Sequence, residues 1–370
     1  MSSIVASVSK LASRMKIDIP GLPAAEISAA PANPADLAEL LAEASAAGLR
    51  VLVWGGGTHQ GLGNRLEPDL VVSTARLNRV IAWEPDDMTV VVEGGIGVAD
   101  LEALLATRGQ TAVLPETPGA ATVGGVLAAA VSGYRRARYG PTRDRILEVT
   151  VVTGDGRIVK AGGRVVKNVT GYDLPRLVVG SLGSLGVIVS ACLKLWPLPA
   201  AWATITLDDP GLAGSVYRPL AVLSDLDRTR VFVGGTDAEV ESQAVRLGGS
   251  REEGLGWPST LGYDTTWSLR VPPSMVDSAL GRLPSGTDRI VQVLVGEIAF
   301  GADDLGAMAD LRMWAESIGG RLVLTKAPES VYQRVDPWGT PPSSQSLQLR
   351  LTEAFDPRRV LNPGRLPGGI

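Results

Sequence analysis

The sequence has almost none of the residues on which metal and thiol chemistry depend. Its 370 residues include one cysteine, Cys192, and one histidine, His59. A single thiol rules out an internal disulfide. With so few soft ligands, no cysteine-rich zinc site, self-contained iron–sulfur cluster or two-histidine metal motif can be assembled. A basic excess is missing too: 35 Lys and Arg against 39 Asp and Glu leave a net charge of -4. That balance argues against a general nucleic-acid binder. Long apolar runs are scarce. One long uncharged stretch, 177–193, is diluted by three glycines and three serines. It reads as a helix end, a turn and a buried strand, not as a membrane span. The opening "MSSIVASVSKLASRMKIDIP" places lysines and an arginine where a secretory signal would be apolar. The expectation is a cytoplasmic chain that meets a membrane only through a partner.

What is present is glycine and short β-branched runs. A length of 370 residues allows about two domains, and 45% hydrophobic with 20% charged residues is ordinary for a folded chain. In the first 200 residues, "RVLVW" (50–54) and "DLVVST" (69–74) read as strands. "RVIAWEPDDMTVVVEGG" and "ILEVTVVTGDGRIVKAGG" read as hairpins turned at "EPDD" and "GDG". Helices are expected at "VADLEALLATRG", at "TVGGVLAAAV" with Thr122 as N-cap, and at "YDLPRLVV" with Asp173 as N-cap. Composition shifts at "WPLPAAW". Strand-like and helix-like pieces then alternate to about residue 340, followed by a polar helix "SSQSLQLRLTEAF" and the tail "DPRRVLNPGRL". The pairing is mostly by hairpins, so the fold class is α+β and not a doubly wound parallel sheet.

Three consecutive glycines follow the first strand in "VLVWGGGTHQGLGN" (51–64). Bare backbone lets N–H groups approach an anion closely. The dinucleotide fingerprint G-x-G-x-x-G is nevertheless unmet, and no Gly-Lys of a P-loop occurs. Three further small-residue segments share the domain: "PETPGAATVGG" (115–125), "AAAVSGYRRARYG" (128–140) and "GSLGSLGVI" (180–188).

In order and spacing these segments resemble the PCMH-type FAD-binding domain of the vanillyl-alcohol oxidase flavoprotein superfamily. More narrowly, "VSGYRRARYGPTRD", "AGGRVVKNVTGYDLPRLVVGSLGSLGVI" and "FDPRRVLNPGRL" resemble the E-type subunit of glycolate oxidases. The resemblance implies a PCMH-type FAD domain of two α+β subdomains over 1–200, a smaller α+β cap over 201–340, and a C-terminal segment, 341–370, returning to the FAD domain. It implies non-covalent FAD held by Gly55, Gly56, Gly57, Thr58, His59, Pro118, Thr122, Gly124, Gly125, Ser132, Gly133, Gly186, Val187, Ile188 and Asn362. An asparagine that often precedes the Ser-Gly pair is replaced at Ala130–Val131. Implied partners are a larger flavoprotein subunit and an iron–sulfur subunit, and the implied substrate is a small 2-hydroxy acid.

Chemistry sets the alternatives. Oxidising a 2-hydroxy acid needs a base for the hydroxyl proton, a cation for the carboxylate and a flavin to take the hydride. No histidine follows residue 59, so no catalytic base is assigned. That favours a subunit accepting or relaying electrons through FAD over a self-sufficient dehydrogenase of another hydroxyl substrate. A scaffold with a relict FAD fold is the third reading, and the intact glycine loops oppose it. Arg135, Arg136, Arg138, Arg143 and Arg145 are candidates for phosphate or partner contact. Lys167, Asn168 and Tyr172 are candidates for polar groups near the flavin, and Arg270 and Arg350 for holding a carboxylate. Cys192, Trp196 and Trp257 are read as packing residues.

Overall fold

A computed structural model describes residues 8, 12, 13, 27–116, 119–165, 171–259 and 261–370. Three sheets of three or more strands organise the described residues. The smallest is parallel, in the order β1-β3-β2, from β1 (Ile27–Ala29), β2 (Val51–Trp54) and β3 (Leu70–Ser73). The helix Pro34–Ala47 covers it. Asn33 caps that helix by accepting from Asp36 N–H at 2.9 Å, and Gly48 ends it at φ 67°. Leu37, Leu40, Leu41 and Ala44 recur at helical spacing and are all buried against Val51, Leu70 and Val72. The tail joins the same sheet. Val51 N–H donates to Val360 O and Asn362 N–H to Val51 O, both at 2.8 Å, so Leu361 lies parallel beside β2.

A five-stranded antiparallel sheet follows, in the order β4-β5-β9-β7-β8. β4 (Val80–Glu84) and β5 (Thr89–Glu93) form one expected hairpin, and β7 (Ile146–Val152) and β8 (Ile158–Gly162) the other. β9 (Val187–Lys194) lies at the centre between β5 and β7. The helices Val98–Ala106 and Val123–Ala129 pack onto this sheet through Leu101, Leu105, Val126 and Leu127. Cys192, in mid-strand, is buried, and burial pushes its thiol up to about 11, so it is inert packing. A short pair joins β6 (Gln110–Thr111) to β10 (Trp196–Pro197).

The third sheet holds eight antiparallel strands in the order β14-β11-β13-β12-β16-β17-β15-β18. They run from β11 (Ala201–Thr206), β12 (Ala221–Ser224), β13 (Thr229–Gly235) and β14 (Ser250–Glu253) to β15 (Thr266–Arg270), β16 (Arg289–Gln292), β17 (Glu297–Gly301) and β18 (Arg321–Lys326). The helix Leu305–Ser317 sets Met308, Leu311 and Ala315 onto Trp267, Leu269, Phe300 and Leu322. The fold class is thus α+β, with the small parallel sheet as the one departure from antiparallel pairing among the described residues.

The arginine cluster divides once folded. Arg135 pairs with Glu116 at 2.5 Å, and Arg136 reaches Glu297 of the eight-stranded sheet at 3.3 Å. Tyr134 lies 5.5 Å from Trp257, which stacks on Phe232 at 4.3 Å. Much of "SGYRRARY" therefore fastens the first two sheets to the third.

Candidate functional site

β2 ends at Trp54, and the chain leaves it through Gly55, Gly56 and Gly57. The first two glycines are required by close approach. A Cβ at Gly56 would stand 1.5 Å from Ala120 O, and one at Gly55 would stand 2.4 Å from Thr122 Oγ1. Gly57 turns the loop at φ 73°. Among the described residues, none of the backbone N–H groups of residues 55–59 donates to a protein acceptor. A run of free amides on bare backbone is what an anion needs.

The segment Thr122–Gly125 contributes in another way. Thr122 caps the helix Val123–Ala129 by accepting from Gly125 N–H at 3.2 Å. Gly124 N–H donates to Gly94 O at 2.7 Å and Val123 N–H to Ile96 O at 3.0 Å. These amides are already spent. What the helix offers is surface with no side chain larger than a methyl, at Gly124, Gly125, Ala128 and Ala129.

"GSLGSLG" docks on the far end of that helix: Gly180 N–H donates to Leu127 O and Leu182 N–H to Ala128 O. Ser181 and Ser184 hydroxyls close successive turns onto Val178 O and Ser181 O. Gly183 and Gly186 are thereby brought, with Val187 and Ile188 of β9, to the same groove as residues 55–60. The groove is open to solvent.

His59 lies in the groove with Nδ1 2.9 Å from Thr58 Oγ1. Burial lowers its pKa below the usual imidazole value, so it is neutral at pH 7. Gln60 donates through Nε2 to Val53 O at 3.1 Å, and its side-chain oxygen accepts from Arg365 Nη1. Asn362 is fully buried behind the groove. Its Oδ1 accepts from Val53 N–H at 3.1 Å and its Nδ2 donates to Leu182 O at 2.7 Å. The tail so ties two groove-lining residues together.

Of the residues anticipated from sequence, Gly55, Gly56, Gly57, Thr58, His59, Gly124, Gly125, Gly186, Val187 and Ile188 line one groove, and Thr122 caps its helix. Ser132 and Gly133 stand apart: Ser132 Oγ accepts from Thr142 N–H, and a Cβ at Gly133 would strike Glu116. Pro118, Lys167 and Asn168 lie outside the described residues. Tyr172 is exposed, Arg350 is exposed, and Arg270 pairs with Glu297 at 3.2 Å. Trp196 packs edge-on to Tyr139. The sequence reading held Leu182 and Gly183 only as part of the segment 180–188, and it missed Gln60 and above all Arg365. The signal for Arg365 was its place three residues after Asn362 in "NPGR".

Among the described residues, no group of three or more His, Cys, Asp or Glu is disposed to hold a metal. The groove does fit FAD. It has free amides for a pyrophosphate, a wall of glycine and alanine, one cation in Arg365 and no carboxylate in its lining. Residues 25–162 match the family profile described as an FAD binding domain. An uncharacterized FAD-linked oxidoreductase of Mycobacterium tuberculosis is 33% identical over 171 residues, 46% of this chain and 37% of its own length. This chain therefore spans little more than a third of that relative. The glycolate oxidase subunit GlcE of Escherichia coli is 29% identical over 309 residues, 78% of this chain and 84% of the subunit. Among solved structures, alkyldihydroxyacetonephosphate synthase superposes with a TM-score of 0.65 at 15% identity. The overlap covers 92% of this chain and 76% of that one, a likeness of fold.

Proposed function

We propose, starting from a chain whose residues 25–162 form an FAD binding domain, that it is the flavoprotein subunit of a glycolate oxidase-type dehydrogenase complex. In this reading residues 1–200 hold non-covalent FAD, 201–340 form a cap, and 341–370 return to the FAD domain. The larger flavoprotein and iron–sulfur subunits are its partners. The observation that carries the reading is the groove, where free amides of residues 55–59 face glycine and alanine surfaces. The resemblance to GlcE over 78% of the chain supports the choice of complex. The sequence has no histidine after residue 59 to act as a base, which favours a role in accepting or relaying electrons.

Bound FAD supplies the hydride- and electron-accepting chemistry. The chain's own residues do the holding. Gly55, Gly56, Gly57 and Thr58 present amides, Gly125 leaves room, and Asn362 keeps Val53 and Leu182 in register. A neutral His59, turned onto Thr58, is a hydrogen-bonding residue of the loop and not a point of attachment.

The test is the visible spectrum of the purified chain supplied with FAD, before and after glycolate or D-lactate is added without oxygen. The expected result is a flavin spectrum that stays oxidised until the partner subunits are present. Bleaching by the chain alone would instead make it a self-sufficient dehydrogenase, and absence of flavin would leave only the scaffold. Acid precipitation should release the flavin from the wild type and from His59→Ala alike. Colour retained in the wild-type pellet but not in the variant would refute non-covalent binding.

A further inference from the structure

Arg365 is an unusual residue to find in this groove. Its side chain is buried, 5% exposed, on a tail that comes in from the opposite end of the sequence. Nη1 donates to the Gln60 side chain, and Nη2 donates to Gln60 O at 3.0 Å and Leu62 O at 2.5 Å. Its Nε is buried with no partner. Among the described residues no carboxylate pairs with it: its hydrogen bonds go to neutral oxygens, and the charged group that acts on it most is another cation, Arg65. Burial pulls the guanidinium down to about 10, which leaves it charged at neutral pH. A buried charge without a counter-ion is strongly disfavoured. Among the described residues lining the groove, Arg365 alone carries a full charge, since His59 is neutral there.

We propose that Arg365 is the charge partner of the bound flavin nucleotide, presenting its guanidinium to the nucleotide's anionic groups. The inference rests on the FAD reading of the groove. Two sources of negative charge exist on that ligand, the pyrophosphate and the flavin ring once reduced. The guanidinium sits where loop 57–63 meets the eight-stranded sheet. There Tyr332 Oη donates to Gly61 O at 2.5 Å, and a Cβ on Gly61 would stand 2.6 Å from Thr325 O. The free amides of residues 55–59 share the groove with it, so a nucleotide lying along them passes the cation.

The full chain, stripped of flavin, is titrated with FAD and with ADP, and the midpoint potential of the bound FAD is measured. Arg365→Met keeps the length of the side chain and removes its charge. It should weaken FAD binding roughly 10- to 100-fold or lower the midpoint potential, and Arg365→Lys should restore most of the loss. Equal weakening of ADP and FAD with the potential unchanged assigns the contact to the pyrophosphate. Unchanged ADP binding with a lower potential assigns it to the ring. Wild-type affinity and potential in Arg365→Met would overturn the proposal while the cofactor reading stands. So would a lysine variant as impaired as the methionine one, because the arginine would then serve only as a fork on the Gln60 and Leu62 carbonyls. A wild-type chain that binds no FAD would remove the cofactor reading and this inference together.

Discussion

Gly125→Leu should leave the chain folded and empty of flavin. A Cβ at Gly125 meets only Thr122 Oγ1, at 3.1 Å, and otherwise opens into the groove. The residue lies in the first turn of the helix Val123–Ala129, where leucine is preferred over glycine by about 0.8 kcal/mol. The flavin-free variant should therefore melt at or slightly above the wild-type temperature. Its side chain would fill space that the ligand needs, and FAD affinity should fall about 100-fold or more, some 2.7 kcal/mol. Fluorescence titration with FAD alongside a thermal melt separates the two effects. Undiminished FAD affinity would show that the ligand runs elsewhere.

Gly56→Val should lose flavin for a different reason. Its Cβ would lie 1.5 Å from Ala120 O, so the two segments flanking the groove must move apart before any ligand arrives. That variant should melt lower as well as bind poorly. Gly124 belongs with Gly56 and not with its neighbour, because a Cβ there stands 2.8 Å from Gly94 O, inside the packing. On this expectation one Gly-Gly pair contains a glycine that packing requires, Gly124, and a glycine that only the proposed ligand requires, Gly125.

That distinction was not legible in the sequence, although much of the frame was. Thr122 and Asp173 cap the helices expected of them, since capping is decided within four residues. The hairpins β4–β5 and β7–β8 were readable from local alternation and turn residues. β14, "SREE", was invisible because it is an exposed, charged edge with no apolar period, joined to the sheet by backbone pairing to β11. The small parallel sheet was obscured because its strands are three or four residues long and pair across tens of residues. The groove's charge was the least legible part. Arg365 and Gln60 are 305 positions apart, and no local pattern marks an arginine that will be buried beside carbonyls. Arg145, likewise buried with an unpartnered Nε, stood in the sequence as one more candidate for phosphate or partner contact.

The tail's contribution leads to the second large expected effect, that of Asn362→Leu. Asn362 has φ 44°, a left-handed conformation that asparagine tolerates and leucine resists by about 1–2 kcal/mol. Its amide satisfies Val53 N–H and Leu182 O, and leucine leaves both without their partner at about 1–3 kcal/mol each. The sum, about 3–8 kcal/mol, is a large fraction of a typical net stability of about 5–15 kcal/mol. It should appear as a melting temperature lower by about 5–10 °C in the flavin-free chain. Val53 and Leu182 both line the groove, so FAD affinity should fall together with stability. Asn362→Gly divides the effect: it removes the two hydrogen bonds but adopts the left-handed backbone freely, and it should recover the conformational share alone. If Asn362→Leu melts with the wild type and keeps its FAD, the tail is not what holds β2 against the "GSLGSLG" turn. If glycine instead destabilises as much as leucine does, the hydrogen bonds carry the whole effect. The return of the C-terminal segment would then matter to the groove through one amide side chain, whatever the conformation of the backbone bearing it.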